Sequence, residues 1–310
     1  MCGSRPETAG GRIRAGHLHT AAPKVGRLMA GHTEPTALPA EVIALLGADP
    51  LEHTGAGACR VLSGGGLVAK IGPPEIVARE AAVLRLALPL RVPSLVDAGP
   101  GWLVTAAEAD DDRPWAEDEL HDALADLAHL HDSFEDAVPS VPSLRRPFSA
   151  DGARRLLDPV RRLGPELPAP LAALLADPSP LLTAAAAEPP TLLHGDPWPR
   201  NILRPSPGQR VWVDWEMASV GPAAADVASW LNQTPWHTGT STEGHLEVYL
   251  AARRRPVDRA RFRRALDAAA VLWSLAYDVP HLAAGGGDAA PRSSSPADDG
   301  SARPISWWRS

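Results

Sequence analysis

The sequence predicts an α+β fold with two lobes, a small lobe rich in β-strands and a larger lobe rich in α-helices. Between about residues 59 and 105, short apolar segments with strand character surround a single helical segment. From about residue 115 onward, apolar residues recur mainly at the spacing that is typical of amphipathic helices. A connector over residues 105–114 separates the two patterns, so we expect a cleft between the lobes, where small ligands commonly bind.

The small lobe should contain two helices and four strands. Apolar residues at helical spacing over residues 36–47, followed by a stop at Gly47, predict a short first helix. Strands are predicted over residues 59–62, 67–71, 94–97 and 102–105. The glycine triplet 64–66 between the first two strands is typical of a hairpin turn. A second helix, over residues 74–88, should follow the second strand.

The large lobe should be mostly helical. Its predicted helices cover residues 118–134, 153–163, 167–176, 223–231, 243–254 and 257–277. Two short apolar strands, 191–193 and 211–213, lie between the third and the fourth of these helices and flank a loop. Because many of the 33 prolines lie between the predicted elements, we expect the helices to be separated by sharp breaks.

Both ends of the chain have compositions that are typical of disordered segments. The first is rich in Gly, Ala, His, Arg and Thr, and the last in Gly, Ser, Pro and Asp. The predicted divisions are a disordered tail, an N-lobe, a C-lobe and a second disordered tail, at residues 1–34, 35–107, 108–282 and 283–310. Met29 precedes the first helix, so translation could begin there instead of at Met1.

Composition and charge restrict the partners and the compartment. The net charge of −7 argues against a nucleic-acid partner, because nucleic-acid binding usually requires a basic face. The 2 cysteines cannot form a disulfide framework or a cysteine-rich zinc site, which favours a reducing compartment. No apolar run approaches the ~20 residues needed to cross a bilayer, and the N-terminus lacks the apolar core of a secretory signal. We therefore expect a cytoplasmic monomer or homodimer without membrane attachment.

Two polar motifs in the large lobe indicate phosphate chemistry. In residues 194–201 (HGDPWPRN), Asp196 follows a strand and Asn201 comes five residues later; in residues 211–216 (VWVDWE), Asp214 ends another strand. Two short strands joined by a turn over residues 202–213, with Pro-Ser-Pro-Gly inside, would bring Asn201 close to Asp214. Mg²⁺ prefers one or two carboxylates together with phosphate and water oxygens. Asp196, on a loop stiffened by prolines, could accept or orient the proton of a substrate hydroxyl. Phosphoryl transfer depends on such positioning and charge neutralisation.

Lysine is rare in this chain, because Arg supplies almost all of the positive charge. Only Lys24 and Lys70 are present, and Lys70 lies in a predicted strand. The planar guanidinium of Arg cannot replace a compact ammonium on a flexible stem where such a group is required. Lys70 is therefore a candidate functional residue, with chance survival as the alternative.

The two motifs and the residues after them resemble a known family. The sequence HGDPWPRN followed by VDWEMASVGPAAADVASWL resembles the aminoglycoside phosphotransferase and choline/fructosamine kinase group, whose fold is similar to that of eukaryotic protein kinases. The resemblance covers about residues 36–282 and is most specific over 191–231. It implies that Asp196 is the catalytic Asp and that Asn201 and Asp214 bind Mg²⁺.

The resemblance also implies roles for residues of the small lobe. Lys70 would bind the α- and β-phosphates of ATP or GTP, and Glu80 in the next helix would be its ion-pair partner, with Glu75 as the competing candidate. Backbone contacts to the purine would come from the strand that resembles the hinge of the family, at Thr105, Ala106 and Ala107.

Several positions depart from the family or admit two interpretations. The phosphate-covering loop has only a weak counterpart at residues 55–58 (GAGA). Trp198 stands where much of the family has His and cannot supply charge to the γ-phosphate, whereas Arg200 could. Asp226 looks like the buried helix Asp that hydrogen-bonds the catalytic loop. The acidic residues between 108 and 119 could attract a polyamine substrate or form an ordinary solvated loop.

The resemblance thus implies a Mg²⁺-dependent phosphotransferase that moves the γ-phosphate of ATP or GTP to a hydroxyl of a small molecule. An antibiotic, such as an aminoglycoside or another natural product, is the leading substrate class. A metabolic kinase for an amino alcohol, a sugar or a ketoamine is the alternative enzyme. A nucleotide-binding pseudokinase that regulates a partner is the alternative without catalysis.

Overall fold

The computed structural model describes residues 38–47, 49–53, 58–111, 113–163, 169–242 and 244–278, without the side chains of residues 236, 237 and 278. Both predicted tails, 1–34 and 283–310, lie outside these residues, as do three residues of the weak glycine loop, 55–57. Over the described residues, an antiparallel sheet precedes a mostly helical region, which confirms the predicted α+β fold with a β-rich lobe and an α-rich lobe.

The small lobe contains a five-stranded antiparallel sheet and two helices. Its strands are β1 Leu51–His53, β2 Arg60–Gly64, β3 Leu67–Ile71, β4 Leu95–Gly99 and β5 Trp102–Ala106, and its helices are α1 Ala40–Leu46 and α2 Pro74–Leu84. The order across the sheet is β1-β2-β3-β5-β4. The sequence did not predict β1, because three residues are too few to show an alternating pattern. Pairing with β2 holds this strand in place.

The predicted hairpin between β2 and β3 is confirmed. Gly65 and Gly66 have φ angles of 58° and 77°, a left-handed conformation that glycine adopts without steric cost. A Cβ atom on Gly64 would lie only 2.4 Å from the carbonyl oxygen of Leu46, at the end of α1. The glycine triplet therefore forms the turn and also allows α1 to approach it closely.

One apolar cluster lies on each face of the small sheet, and this arrangement shows which face carries the side chain of Lys70. Ala69 packs in the cluster that contains α1, whereas Leu103, the cross-strand partner of Lys70, packs with Ala81 of α2. Successive side chains of a strand point to opposite faces, and cross-strand partners share a face. Lys70 therefore faces α2, the helix that carries Glu80.

Seven helices and four short strands form the described part of the large lobe. The helices are α3 Glu117–Phe134, α4 Ala150–Arg161, α5 Ala169–Ala176, α6 Ser179–Ala185, α7 Ala224–Thr238, α8 His245–Ala252 and α9 Arg259–Trp273. The strands are β6 Pro190–Leu193, β7 Ile202–Leu203, β8 Val211–Trp212 and β9 Ser219–Pro222. β6 pairs with β9, and β7 pairs with β8. The sequence did not predict α6 or β9, and α9 continues as a π-helical turn over Ser274–Asp278.

The large lobe contains a main apolar core and a smaller apolar cluster that includes Leu157 and Leu272. Leu124 of α3, Trp212 of β8, Trp230 of α7 and Phe262 of α9 are among the fully buried side chains of the main core. The apolar faces of these helices are thus used for packing within the lobe. Among the helices in the described ranges, none is long and apolar enough to cross a membrane.

Candidate functional site

Lys70, Glu80 and Asp214 are far apart in the sequence but meet on one face of the small sheet. The ammonium of Lys70 lies 3.0 and 2.7 Å from the two carboxylate oxygens of Glu80 and 2.8 Å from Oδ1 of Asp214. The three side chains are only 15%, 6% and 20% exposed, respectively. Glu80 is therefore the ion-pair partner of Lys70, whereas the competing candidate Glu75 is exposed. The same ammonium joins the small lobe to a carboxylate of the large lobe.

The neighbouring carboxylates fix the charge of Lys70. Burial alone would lower the pKa of Lys70, but the carboxylates of Asp214, Glu80 and Glu216 together hold this pKa well above its ordinary value. Lys70 is therefore a cation throughout the physiological pH range. It is suited to binding an anion and unsuited to acting as a base.

Replacing Lys70 by Met should destabilise the protein by about 3 kcal/mol, because the partly buried carboxylates of Glu80 and Asp214 lose their counter-charge. The pKa of Lys70 is raised in the folded state. Its contribution is therefore complete below the pKa of about 10.4 of an unfolded Lys, and is lost only as the pH rises through the higher folded pKa. Urea unfolding of both proteins at neutral and alkaline pH measures the difference.

Arg154→Met is the matched control for this prediction. Arg154 and Asp151 form an ion pair whose side chains are 65% and 71% exposed. Loss of such an exposed pair should cost less than about 1 kcal/mol. Equal losses for the two variants would show that the contacts of Lys70 contribute no more to stability than a surface ion pair.

Asp196 lies on a tight loop directly after β6. Gly195 has a φ angle of 86°, and a Cβ atom there would lie 2.1 Å from the carbonyl oxygen of Met217, so the loop requires glycine at this point. Oδ2 of Asp196 accepts a hydrogen bond from Nδ2 of Asn201 at 3.0 Å, and Oδ1 accepts one from Nε2 of Gln233 at 3.1 Å. Two amide groups thus orient the carboxylate.

The arrangement of Asn201 and Asp214 fits a divalent cation. Nδ2 of Asn201 donates to the main-chain oxygen and to Oδ2 of Asp196, which leaves the amide oxygen on the opposite side as a neutral ligand. The N–H of Val213 donates to the main-chain oxygen of Asn201 at 2.9 Å and so brings the next residue, Asp214, beside it. A carboxylate and a neutral oxygen at one place are ligands that suit Mg²⁺.

Asp214 has an unusual backbone conformation. Its φ and ψ angles are 65° and 55°, and it is the only residue other than glycine with positive φ in the described part of the chain. Left-handed backbone at such a residue costs energy and is concentrated at functional sites. The conformation directs the chain from β8 into a short 3₁₀ turn, Trp215–Met217, immediately after the carboxylate.

A buried network holds the Asp196 loop in place. Asp226 on α7 accepts hydrogen bonds from the N–H groups of His194 at 2.8 Å and Gly195 at 2.9 Å, as the resemblance implied, and lies 3.2 Å from Nε2 of His131. Burial lowers the pKa of His194, whose Nε2 donates to the main-chain oxygen of Val213 at 3.0 Å. His194 is therefore a neutral residue that ties the loop to the segment after β8.

Asp226→Asn should destabilise the protein by about 2 kcal/mol, because an amide NH₂ would replace one of the oxygens that accept the two buried N–H groups. Thermal unfolding measures the loss. Asp267→Asn, the same change at an exposed residue of α9, should alter stability by less than about 0.5 kcal/mol. A similar stability for the two variants would mean that Asp226 does not hold the loop.

The residues predicted to contact a purine lie at the end of β5 and directly after it. Thr105 is buried in the sheet. The N–H of Ala106 donates to the carbonyl oxygen of Ser94, and that of Ala107 donates to the carbonyl oxygen of Gly66, both at 2.9 Å. These two N–H groups are thus engaged within the small lobe. A purine at this segment would have to bind its other backbone groups.

Arginine side chains pair with two acidic residues of the connector. Arg113 forms ion pairs with Asp111 and Glu119, and Arg204 lies 3.4 Å from a carboxylate oxygen of each of the same two residues. Arg204 is nearly fully buried, so these contacts are part of the folded structure. The connector therefore offers less negative charge to a polyamine than its sequence suggests.

Trp198 packs within the Asp196 loop. Its side chain is 7% exposed, and the guanidinium of Arg200 lies over the ring, 5.3 Å from the ring centroid. A cation at this distance from an indole is attracted to the ring face. Trp198 thus supports the loop and restrains Arg200, the residue that could supply charge near a γ-phosphate.

Gln233 is the residue of the site that the sequence analysis missed. It lies on α7, where Asp226, Ser229 and Gln233 follow one another at intervals of three and four residues. This spacing puts all three side chains on one face of the helix. Since Asp226 was expected to contact the catalytic loop, its spacing from Gln233 is the signal in the sequence that could have indicated a second polar contact with this loop.

A second group of metal-ligand side chains lies at the start of α3 and of α8. Glu117, His121 and His245 can place one ligand atom each within 4.8 Å of one another. His245 is buried, and the indole N–H of Trp230 donates to its Nδ1 at 3.3 Å, so the neutral ring carries its proton on Nε2. A metal would need this nitrogen without its proton, so the tautomer disfavours a metal here.

Comparison with protein families supports the resemblance. The model of a phosphotransferase enzyme family matches residues 58–271, which is more than half of the chain. No curated protein is significantly similar to the chain in sequence.

Solved structures show what the chain resembles in fold. A choline/ethanolamine kinase family protein from Mesorhizobium loti is 19% identical with a TM-score of 0.52, over 77% of this chain and 81% of that chain. APH(2″)-IIa, in a ternary complex with streptomycin and ATP, is 16% identical with a TM-score of 0.53, over 77% and 89%. The macrolide 2′-phosphotransferase MphH from Brachybacterium faecium is 21% identical with a TM-score of 0.50, over 79% and 91%. The protein-kinase-like fold that the resemblance implied is confirmed.

Proposed function

Because the chain belongs to the phosphotransferase enzyme family, we propose that it transfers the γ-phosphate of ATP or GTP to a hydroxyl group of a small molecule, with Mg²⁺ as cofactor. The observation that carries this proposal is the contact of one ammonium, that of Lys70, with both Glu80 and Asp214. It puts a permanent cation beside a carboxylate of the other lobe. A triphosphate with its divalent cation needs both charges at one place, because the ammonium binds the phosphates and the carboxylate binds the metal ion.

The side chains of the site would promote the transfer without bonding covalently to the phosphate. Lys70 would bind oxygens of the α- and β-phosphates, while Asn201 and Asp214 would hold Mg²⁺, which neutralises phosphate charge when bound. Asp196 would orient the acceptor hydroxyl and accept its proton. The hydroxyl oxygen forms a bond to the γ-phosphorus, and the bond from this phosphorus to the β,γ-bridging oxygen breaks, releasing the nucleoside diphosphate.

For the acceptor we propose an antibiotic or another natural product, with aminoglycosides as the leading class. The fold is shared with APH(2″)-IIa, whose complex contains streptomycin, and with a macrolide 2′-phosphotransferase. The arginines Arg113 and Arg204 pair with Asp111 and Glu119, so the connector attracts a polycation less strongly than its sequence suggests. The choline/ethanolamine kinase family protein has the same fold, which keeps an amino alcohol, a sugar or a ketoamine as the second candidate.

A nucleotide-binding regulator without catalysis is the alternative from another functional class. A protein that only binds nucleotide does not need a carboxylate that receives an acceptor hydroxyl. Asp196 is held by two amide donors in an oriented position. This preorganisation favours the enzyme, since ordering a charged side chain serves a reaction and adds little to nucleotide binding.

A ligand screen followed by a transfer assay tests the proposed function. The melting temperature would be measured with Mg-ATP or Mg-GTP, each combined with aminoglycosides, macrolides, amino alcohols, sugars and ketoamines, because a ligand that binds the native state raises it. Compounds that stabilise the protein would then be incubated with γ-labelled nucleotide. We expect label in at least one hydroxyl compound. Nucleotide binding without transfer to any compound would support the regulator instead.

A further inference from the structure

Gln233 connects the carboxylate of Asp196 to the body of α7. Its Nε2 lies 3.1 Å from Oδ1 of Asp196 and 2.8 Å from Oγ of Ser229, one helical turn earlier. An ionised carboxylate can only accept hydrogen bonds, so the amide must present its NH₂ group to Asp196. Both hydrogens of this group are then used, one for Asp196 and one for Ser229.

We propose that Gln233 is a positioning residue for Asp196, which fixes the orientation of the carboxylate that receives the acceptor hydroxyl. This inference rests on the proposed function, since it concerns the same site. Gln233 would act through Asp196 and would not contact the reacting atoms itself. Ser229 would hold the amide of Gln233 in the orientation that this contact requires.

The two amide donors on Asp196 come from different parts of the structure, and this makes both necessary. Asn201 belongs to the same loop as Asp196 and holds Oδ2, so it moves with the loop. Gln233 belongs to a fifteen-residue helix and holds Oδ1. A carboxylate bonded at one oxygen can still turn about its Cβ–Cγ bond, whereas bonds to both oxygens fix its plane. Gln233 therefore anchors the carboxylate to a rigid element outside the loop.

The same helix fixes the main chain of the loop. Asp226 accepts the N–H groups of His194 and Gly195, the two residues before Asp196. One face of α7 thus holds the loop through Asp226 and the side chain of Asp196 through Gln233. Misplacement of a reacting group by about 1 Å can cost on the order of 100-fold in rate. Loss of Gln233 should therefore reduce turnover while the loop itself stays in place.

Two substitutions of Gln233 test the proposal, with hydrolysis of Mg-ATP as the reaction, so that water replaces the unidentified acceptor. Gln233→Leu removes the donor, and Gln233→Glu replaces it with a carboxylate that repels Asp196. We expect kcat to fall on the order of tenfold to a hundredfold for both. The Kd for Mg-ATP should change less than about twofold, because the hydrogen bonds of the Gln233 amide go to Asp196 and Ser229 and not to the proposed phosphate ligand Lys70. A loss of nucleotide affinity equal to the loss of kcat would overturn the proposal.

Gln209→Glu is the matched control, since it makes the same chemical change at the other glutamine of the chain. Gln209 lies between β7 and β8 and accepts a hydrogen bond from Arg91 on the surface. We expect unchanged kcat and an unchanged melting temperature for this variant. An equal fall of kcat in Gln209→Glu and Gln233→Glu would show that added negative charge, and not lost positioning, is responsible.

A double-mutant cycle shows whether Gln233 acts through Asp196. In the Asp196→Asn background, Gln233→Leu should have less than about a third of the effect on ln kcat that it has in the wild type, because its target is already changed. Full additivity of the two effects would contradict a positioning role. A role of Gln233 in general stability predicts additivity together with a lower melting temperature.

Crystal structures of Gln233→Leu and Gln209→Glu separate failure of this inference from failure of the proposed function. If the wild type turns over no nucleotide with any acceptor or with water, the proposed function is wrong. Even then, the orientation of the Asp196 carboxylate in these variants can be compared with that in the wild type. We expect the carboxylate to take more than one orientation in Gln233→Leu and a single one in Gln209→Glu. A single unchanged orientation in Gln233→Leu would overturn the positioning role.

Discussion

Asp196→Ala should lower kcat by on the order of 10²- to 10⁴-fold while the affinity for Mg-ATP stays nearly unchanged. The carboxylate of Asp196 is bonded to Asn201 and Gln233, whereas the ammonium of Lys70 is bonded to Glu80 and Asp214. Its loss therefore removes the group that receives the acceptor proton and leaves the proposed phosphate contacts. An interaction made only in the transition state affects kcat and kcat/KM equally. Steady-state kinetics and calorimetric titration with nucleotide measure the two quantities.

Asp151→Ala is the control for the catalytic substitution. Asp151 lies in the first turn of α4, where its exposed carboxylate pairs with Arg154. We expect full activity and unchanged affinity for this variant. Near-full turnover in Asp196→Ala would exclude the assigned role, and a large loss of nucleotide affinity would place Asp196 among the phosphate or metal contacts instead.

Asp214→Ala should remove both catalysis and the Mg²⁺-dependent part of nucleotide binding. A bound cation contributes several kcal/mol of charge stabilisation, so we expect kcat to fall by on the order of 10³-fold. The substitution also removes the contact of the Lys70 ammonium with a carboxylate of the large lobe, at 2.8 Å. The Kd for ATP should then no longer improve when Mg²⁺ is added. Nucleotide titrations with and without Mg²⁺ measure this difference.

Asp214→Asn tests the negative charge of Asp214 separately from its role as an oxygen ligand of Mg²⁺. The amide keeps one neutral oxygen and removes the negative charge that faces Lys70. We expect a smaller loss of Mg²⁺ dependence than for Asp214→Ala, because Asn is a weaker ligand of Mg²⁺ but still supplies an oxygen. If Asp214→Ala retains the full effect of Mg²⁺ on affinity, the cation is held elsewhere.

The sequence was most informative where pattern and chemistry agreed. Residues 67–71 form β3 with the predicted bounds, because a short apolar strand after a glycine turn has few alternatives. Lys70 was a candidate functional residue because it is a lysine inside that strand, in a chain that otherwise uses Arg almost everywhere. Asn201 and Asp214 are brought together by the predicted pairing of β7 with β8. These features depend on local spacing, which a sequence displays directly.

Contacts between distant elements could not be predicted in the same way. The contact of Gln233 with Asp196 depends on how α7 lies against the loop, because the spacing from Asp226 indicates a shared helix face but not the partner of Gln233. The neutralisation of the connector depends on Arg204, whose approach to Glu119 requires the folded large lobe. The engagement of the Ala107 N–H by Gly66 depends on the register of β3 with β5. Each of these requires coordinates, because the partners are separated by tens of residues.

The central claim is that Asn201 and Asp214 hold one divalent cation next to the ammonium of Lys70. A crystal structure with Mn²⁺ and a non-hydrolysable ATP analogue tests it most directly, because the anomalous signal of Mn²⁺ locates the ion. The account predicts one peak within coordination distance of the Asn201 amide oxygen and the Asp214 carboxylate, with phosphate oxygens completing the shell and Lys70 bound to the nucleotide. Nucleotide bound with the ion at any other place would contradict it.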